Sequence, residues 1–172
     1  MKKIILSWQD IENQTQEIIR QITLDNWRPD YVVGLTRGGL IPANLISQYF
    51  ECPMETLKVS LRDDTADPES NLWMAEDAFG DNENGGKNIL IVDDINDSGA
   101  TLNWICQDWQ SSCLPNDERW ISDIWGKNVR VAVLYDNESS KSKLDINYTS
   151  VTINKAEEDC WIEFPWENWW TK

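Results

Sequence analysis

The chain has 172 residues, with 30 acidic and 15 basic side chains and a formal net charge of −15. This balance argues against general nucleic-acid binding, which needs a basic surface. The absence of histidine excludes His-ligated metals and His-assisted Ser or Cys nucleophiles. No apolar run is long enough to predict a membrane span, and four cysteines without C-x-x-C spacing predict free thiols in a cytoplasmic protein.

Apolar runs that alternate with helical patterns predict an α/β fold over residues 1–172, a single domain with a mostly parallel sheet flanked by helices. The predicted strands are 4–8, 31–35, 56–60, 89–94, 129–135 and 148–153. The predicted helices are one that opens at a Ser7/Asp10 capping box and runs to about residue 25, then 40–50 and 99–110. The long polar stretch 61–87 predicts a mobile lid, and 111–128 predicts an irregular insertion.

The stretch with the most chemical information follows the apolar run Ile89–Val92. It continues Asp93-Asp94, then Asp97, and then Ser-Gly-Ala-Thr before a helical pattern. Ligands of open α/β sheets bind beyond the carboxyl ends of strands. The carboxylates suit hydroxyl groups or a metal, and the free N–H groups of the helix start suit a phosphate.

The segment from Val92 to Thr101 closely resembles the 5-phosphoribosyl-1-pyrophosphate (PRPP) signature of type I phosphoribosyltransferases. The resemblance implies that Asp93 and Asp94 bind the ribose hydroxyls, partly through Mg²⁺, and that Asp97 is the general base. The 5-phosphate would be held by Asp97, Ser98, Gly99, Ala100 and Thr101. The departure from the family pattern is Asn96, which stands at a usually apolar position and is expected to alter packing more than chemistry.

After the strand 31–35 comes a loop of Thr36, Arg37, Gly38 and Gly39. Taken alone, this loop is typical of a simple βα turn. In this order and spacing it resembles the family's pyrophosphate loop. The resemblance implies a cis peptide between Thr36 and Arg37, backbone N–H groups turned toward the leaving pyrophosphate, and Arg37 as a fork-shaped cation for its oxygens.

The 61–87 stretch occupies the place of the family's catalytic lid, which excludes water from an oxocarbenium-like ribosyl centre. Family members often begin this lid with Ser-Tyr, whereas this chain has Ser60-Leu61. The tyrosine contribution is therefore absent, and Arg62 is the candidate for a substitute phosphate contact.

The run Trp161-Ile162-Glu163-Phe164-Pro165-Trp166-Glu167 resembles the W-I-E-x-P-W-[DE] stretch of xanthine-guanine phosphoribosyltransferases. The resemblance implies that Trp161 stacks on the purine and that backbone carbonyls near Ile162 read the 2-substituent. Glu167 becomes a further candidate near the Mg²⁺-pyrophosphate. Residues 154–172 are predicted to form a base-binding hood.

One departure concerns the base. Related purine enzymes carry a lysine just after the strand matched by 129–135, where it bonds the 6-oxo group, but Asn137 stands at that place here. An asparagine can donate and accept, so it suits a 6-oxo or a 6-amino edge. Lys141 or Lys143 would reach the base only if its loop folds back.

Two functional hypotheses follow. The first is transfer of 5-phosphoribose from PRPP to a purine base in purine salvage, with guanine, xanthine or hypoxanthine as leading bases and a homodimer or homotetramer implied by resemblance. Asp97 would take the N7 or N9 proton as the bond forms. The alternative is a non-catalytic PRPP- or nucleotide-binding regulator on the same fold. A phosphoribosyltransferase for another base is a third possibility, which the Trp161 tail argues against.

Overall fold

The computed structural model describes residues 1–59, 61, 71–81 and 83–172. Seven strands and four α-helices make up the fold of this part of the chain. In chain order they are β1 (Lys2–Ile5), α1 (Trp8–Leu24), β2 (Tyr31–Leu35), α2 (Leu40–Phe50), β3 (Met54–Leu57), α3 (Leu72–Phe79), β4 (Ile89–Asn96), α4 (Ala100–Ser112), β5 (Val129–Asn137), β6 (Tyr148–Ile153) and β7 (Cys160–Glu163).

Five of the strands form one parallel sheet in the order β3-β2-β4-β5-β6. The apolar run of β4 occupies the central position, where both faces are covered, and its first four residues are fully buried. This is the pattern expected of a strand inside a parallel sheet. The predicted α/β fold with a mostly parallel sheet flanked by helices is confirmed.

Alternate residues of β4 face two separate apolar cores. Leu90 and Val92 pack with α1 and α2 on one face, and Ile89 and Ile91 pack with α3 and α4 on the other. Since side chains alternate across a strand, this one segment links both cores. The acids that follow it are therefore held on the best-supported strand of the sheet.

Parts of the predicted mobile lid, 61–87, and of the predicted irregular insertion, 111–128, contribute to the core. Residues 72–79 form helix α3, which buries Met74 and Ala78 at i, i+4 spacing. In the 111–128 insertion, residues 120–124 form a π-helical turn whose Trp120 is fully buried and donates its indole N–H to the carbonyl of Cys113 at 2.8 Å. Within the predicted lid, residues 72–79 are therefore a helix that packs in the core, and the prediction of a mobile lid is wrong for these residues.

A second, two-stranded sheet joins the chain ends, where β1 runs parallel to β7. β1 stops at Ile5 because Ser7 caps α1 in the predicted capping box with Asp10. Glu163 of β7 forms an ion pair with Lys3, whose Nζ atom lies 2.6 Å from Glu163 Oε2. This small sheet includes part of the segment 154–172 predicted as a hood, and its base-binding role stays a prediction. No helix in the described ranges is both long and apolar enough to cross a membrane.

Candidate active site

The acids of β4 lie where that strand leaves the centre of the sheet. Val92 is opposite Gly34 of β2, the last residue pair between those strands, while Asp93 is opposite Val133 of β5. Asp94 follows at the same edge. In open α/β sheets this is the edge at which ligands bind, so both carboxylates stand where the sequence predicts a ribose site.

The two carboxylates stand in an environment that disfavours their charges. Asp93 accepts a hydrogen bond from the Asp94 N–H at 2.9 Å, and Asp94 accepts one from the Ile95 N–H at 2.7 Å. Burial raises the pKa of Asp93 well above its usual range, and the charge of Asp94 adds to this. Burial also raises the pKa of Asp94, with a contribution from the charge of Glu167. A cation or hydroxyl donors from a ligand would relieve this repulsion.

The donor set at this edge suits a hard cation shared with a ligand. Within the described residues, no group of three or more His, Cys, Asp or Glu side chains is arranged to hold a metal ion. Mg²⁺ is commonly held by one or two carboxylates plus substrate oxygens and water. Asp93 and Asp94 therefore suit a Mg²⁺ ion whose remaining oxygen ligands come from a phosphate-bearing substrate and from water.

The turn between β4 and α4 lines a small cavity. It has a volume of about 250 Å³ and is lined by the continuous segment 93–102 together with Val133. Gly99 has a φ of +89°, and a Cβ there would lie 2.3 Å from the Ser142 nitrogen, so only glycine fits. Because the first N–H groups of a helix are unpaired, the start of α4 presents donors to this cavity.

The predicted pyrophosphate loop packs directly against the acids. The peptide bond between Thr36 and Arg37 is cis, as predicted. A Cβ added to Gly38 would lie 2.0 Å from the Asp94 Oδ2 atom, and one added to Gly39 would lie 2.2 Å from the Val92 carbonyl oxygen. The 36–39 loop and the 93–101 segment therefore form one continuous site, with the exposed Arg37 at its edge.

On the other side of Asp97 lies the aromatic tail. The ring of Trp161 is half exposed at 49%, whereas the neighbouring Ile162 is buried at 5%. Glu167 accepts a hydrogen bond from the Phe164 N–H at 3.0 Å and is close enough to influence Asp94 electrostatically. An exposed indole beside the acids is consistent with the predicted base platform, and its stacking role stays a prediction.

The structure brings a residue into this region that the sequence analysis missed, Lys155. Its Nζ atom lies 3.0 Å from Asp97 Oδ2 and 5.9 Å from the centroid of the Trp161 ring. The available signal was strand pairing, because β6 runs parallel to β5 with Ile153 opposite Asn137. Residues that directly follow those two strands are expected to meet at the same edge of the sheet.

Asn137, the residue predicted to contact the base, is engaged with other parts of the protein. Its side chain is buried, donates to the Asp97 carbonyl at 2.9 Å and accepts from the Lys155 N–H at 3.0 Å. It also accepts from the Ser139 hydroxyl at 2.8 Å. Asn137 therefore fastens the segments carrying Asp97 and Lys155 to each other, and a direct contact with a base stays a prediction.

The loop after β5 folds toward α4. Lys141 donates its N–H to the Ser98 carbonyl at 2.8 Å, and Lys143 donates its N–H to Asn103 Oδ1 at 2.6 Å. Lys143 also lines a cavity of about 550 Å³ between α4 and β5, away from Trp161. The backbones of both lysines are therefore held against the start of α4, and the structure does not place Lys143 at the predicted base site.

Asn96, the departure inside the PRPP-like segment, is buried and anchors this same loop. Its amide donates to Asp136 Oδ1 at 2.8 Å and to the Ser140 hydroxyl at 2.9 Å. Asn96 therefore makes local polar contacts with the loop after β5, and the expected change in packing relative to the family stays a prediction. Of the predicted lid contacts, Leu61 is exposed at 54%, while Ser60 and Arg62 lie outside the described residues.

The fold and this site together define a class of protein. A parallel sheet carries at one edge two adjacent acids, the turn that follows them and a glycine loop with a cis peptide. Lys155, which pairs with Asp97, lies 5.9 Å from the centroid of the half-exposed Trp161 ring. The sheet and its edge have the arrangement of the type I phosphoribosyltransferase fold.

The chain belongs to the phosphoribosyl transferase family, since residues 1–168 match the family described as "Phosphoribosyl transferase domain". It is 29% identical to a xanthine-guanine phosphoribosyltransferase of Cereibacter sphaeroides, over 94% of this chain and 85% of the relative. It is 24% identical to a hypoxanthine-guanine phosphoribosyltransferase of Schizosaccharomyces pombe, over 96% and 89%. A purine phosphoribosyltransferase structure from Pyrococcus horikoshii superposes with a TM-score of 0.65 at 22% identity, covering 98% of this chain and 96% of that one. The chain is a phosphoribosyltransferase.

Proposed function

We propose that the protein transfers 5-phosphoribose from PRPP to a 6-oxopurine, which is guanine, xanthine or hypoxanthine, and releases pyrophosphate. The observation that carries the proposal is the direct packing of the Gly38 loop on Asp94. This packing supports the proposal, because the loop proposed to bind pyrophosphate and the carboxylate proposed to bind ribose lie side by side. The purine enzymes among its relatives support the choice of base.

Each part of the site has a task in this reaction. The turn 97–101 holds the 5-phosphate through N–H groups and the Ser98 and Thr101 hydroxyls, while Asp93 and Asp94 bind the ribose hydroxyls. Asp93 and Asp94 would hold Mg²⁺, which would supply charge stabilisation for the departing pyrophosphate. The 36–39 loop holds that leaving group from the other side.

The base enters between the hood and Asp97. Trp161 stacks on its ring, which contributes about 1–3 kcal/mol by analogy with base–aromatic stacking. Asp97 accepts the proton that the base loses as the new bond to the ribose forms, since a carboxylate within hydrogen-bond reach can act as general base. The product is a nucleoside 5′-monophosphate, which suits a role in purine salvage. The resemblance to the family further implies a cytoplasmic homodimer or homotetramer.

The test is pyrophosphate release from PRPP with Mg²⁺ across a panel of purines and pyrimidines. We expect turnover with 6-oxopurines and little with adenine, orotate or uracil. Folded protein that turns over none of these bases would refute the proposal, and PRPP binding without turnover would instead support the regulator. Turnover confined to a pyrimidine would refute the choice of base alone.

A further inference from the structure

We propose that Lys155 reads position 6 of the base and selects an oxygen there over an amino group. The inference rests on the proposed function, because it concerns the base that this site accepts. It assigns the role to a segment between β6 and β7, far along the chain from the family's usual lysine position after β5.

The first argument is the location of the ammonium group. Lys155 Nζ lies 3.0 Å from Asp97 Oδ2, the predicted proton acceptor, and 5.9 Å from the centroid of Trp161, the predicted stacking platform. A base that stacks on Trp161 and gives its proton to Asp97 must therefore come close to this ammonium.

The second argument is that the lysine is held in place. Its side chain is only 17% exposed. Its backbone N–H donates to Asn137 Oδ1 at 3.0 Å, and the Asn137 amide donates to the Asp97 carbonyl at 2.9 Å. Asn137 thus fixes the spacing between the backbones of Lys155 and Asp97, although it has little surface of its own to offer a base.

The third argument is the geometry of the purine. In a 6-oxopurine, N7 and O6 are neighbouring acceptor sites on one edge of the ring. With N7 facing Asp97, the group beside Asp97 on that edge faces O6. Lys155 is that group. An ammonium has three donors and no acceptor, so it bonds O6 well but opposes the donor hydrogens of a 6-amino group.

The Asp97–Lys155 ion pair can give way to a contact between Lys155 and the base. Asp97 is half exposed in this pair, and partly exposed ion pairs are weak. When the base arrives, Lys155 exchanges the carboxylate for O6, which leaves Asp97 free to accept a proton. Lys155 therefore has two roles: it pairs with the general base Asp97, and it bonds the oxygen at position 6 of the base.

The experiment compares binding of IMP and AMP by calorimetry, because these nucleotides differ chiefly at position 6. The full chain is used as wild type, Lys155→Met and Lys155→Arg, with Lys141→Met and Lys143→Met as matched lysine controls. We expect wild type to prefer IMP. Lys155→Met should lose roughly 10- to 100-fold in IMP affinity, the scale of a hydrogen bond to a charged group, and keep its AMP affinity.

Lys155→Arg should retain much of the preference, whereas a purely structural role would move both nucleotides together. Lys155→Ala serves as a second variant if thermal melting shows that methionine perturbs the fold. The inference is overturned if Lys155→Met and Lys155→Ala keep the wild-type ratio of IMP to AMP affinity. It is also overturned if Lys141→Met or Lys143→Met loses that ratio, or if the wild type shows no preference. Turnover of hypoxanthine by wild type, assayed in parallel, reports separately on the proposed function.

Discussion

The phosphate side and the base side of this site are built in contrasting ways. On the phosphate side, residues 93–101 lie consecutively in the sequence, and the 36–39 loop meets them across one strand pairing. On the base side, Asp97, Asn137, Lys155 and Trp161 come from four separate segments. The phosphate side is therefore centred on consecutive residues, whereas the base side is assembled from residues far apart along the chain. We expect changes on the phosphate side to affect all bases equally, and changes on the base side to alter which base is used.

Asp97 lies on the boundary between the two sides, and its replacement should have the largest effect. Asp97→Asn removes the proton acceptor but keeps the size of the side chain, so we expect kcat to fall about 100- to 10,000-fold for every base. PRPP affinity should change little. Steady-state kinetics together with PRPP calorimetry measure this, with the exposed Asp145→Asn as control. An unchanged kcat would remove Asp97 from the role of general base.

A change confined to the phosphate side is Gly38→Ala. The added Cβ would lie 2.0 Å from Asp94 Oδ2, so the loop and the carboxylate must separate. A misplacement of about 1 Å can cost about 100-fold, and we expect a loss of that order in kcat/KM for PRPP with each base tested. Thermal melting checks that the fold survives. A loss seen with one base but not another would contradict the separation of the two sides.

A change confined to the base side is Trp161→Ala. Loss of a stacking platform should raise the KM for the base about 5- to 150-fold, corresponding to 1–3 kcal/mol, and leave the KM for PRPP nearly unchanged. Trp161→Phe should retain part of the affinity. Trp169, which is 65% exposed in the same tail, gives the matched control Trp169→Ala. Equal effects of the two alanine variants would argue against a specific platform.

The smallest effect concerns stability. Since burial and the charge of Asp94 raise the pKa of Asp93 in the folded chain, the native state binds more protons than the unfolded state above the ordinary Asp pKa of about 3.9. Stability therefore falls as pH rises through the folded pKa. Asp93→Asn lacks this titration and should melt higher than wild type at pH 8, with a smaller difference at pH 5.

The scale of that gain is about 1.4 kcal/mol for each tenfold difference between the folded and unfolded dissociation constants. Denaturant unfolding at the two pH values measures it, and PRPP binding measured with Mg²⁺ should weaken in the same variant. An Asp93→Asn protein no more stable than wild type at pH 8 would show that hydrogen bonding, rather than charge, dominates at this position.

The sequence was sufficient for most strands of the sheet because they follow local patterns, although β3 lies at Met54–Leu57 and not at the predicted 56–60. The strands 31–35 and 148–153 and the helix 40–50 have their predicted bounds, and the Thr36–Arg37 cis peptide is present. The structure differs where burial depends on distant partners. Trp120 in a polar stretch is core because α3 and α4 enclose it. Lys155 was missed because its neighbours are 58 residues away at Asp97 and 18 away at Asn137.

The pairing of β1 with β7 has a consequence for how the protein is made. Lys2 of the first strand is opposite Cys160 of the last, so the hood cannot form until the ribosome has released residues up to Glu163. Contacts of such long sequence separation generally form slowly. Residues 93–101 can fold while the nascent chain is still growing, whereas the residues proposed to select the base are completed only after β1 has paired with β7.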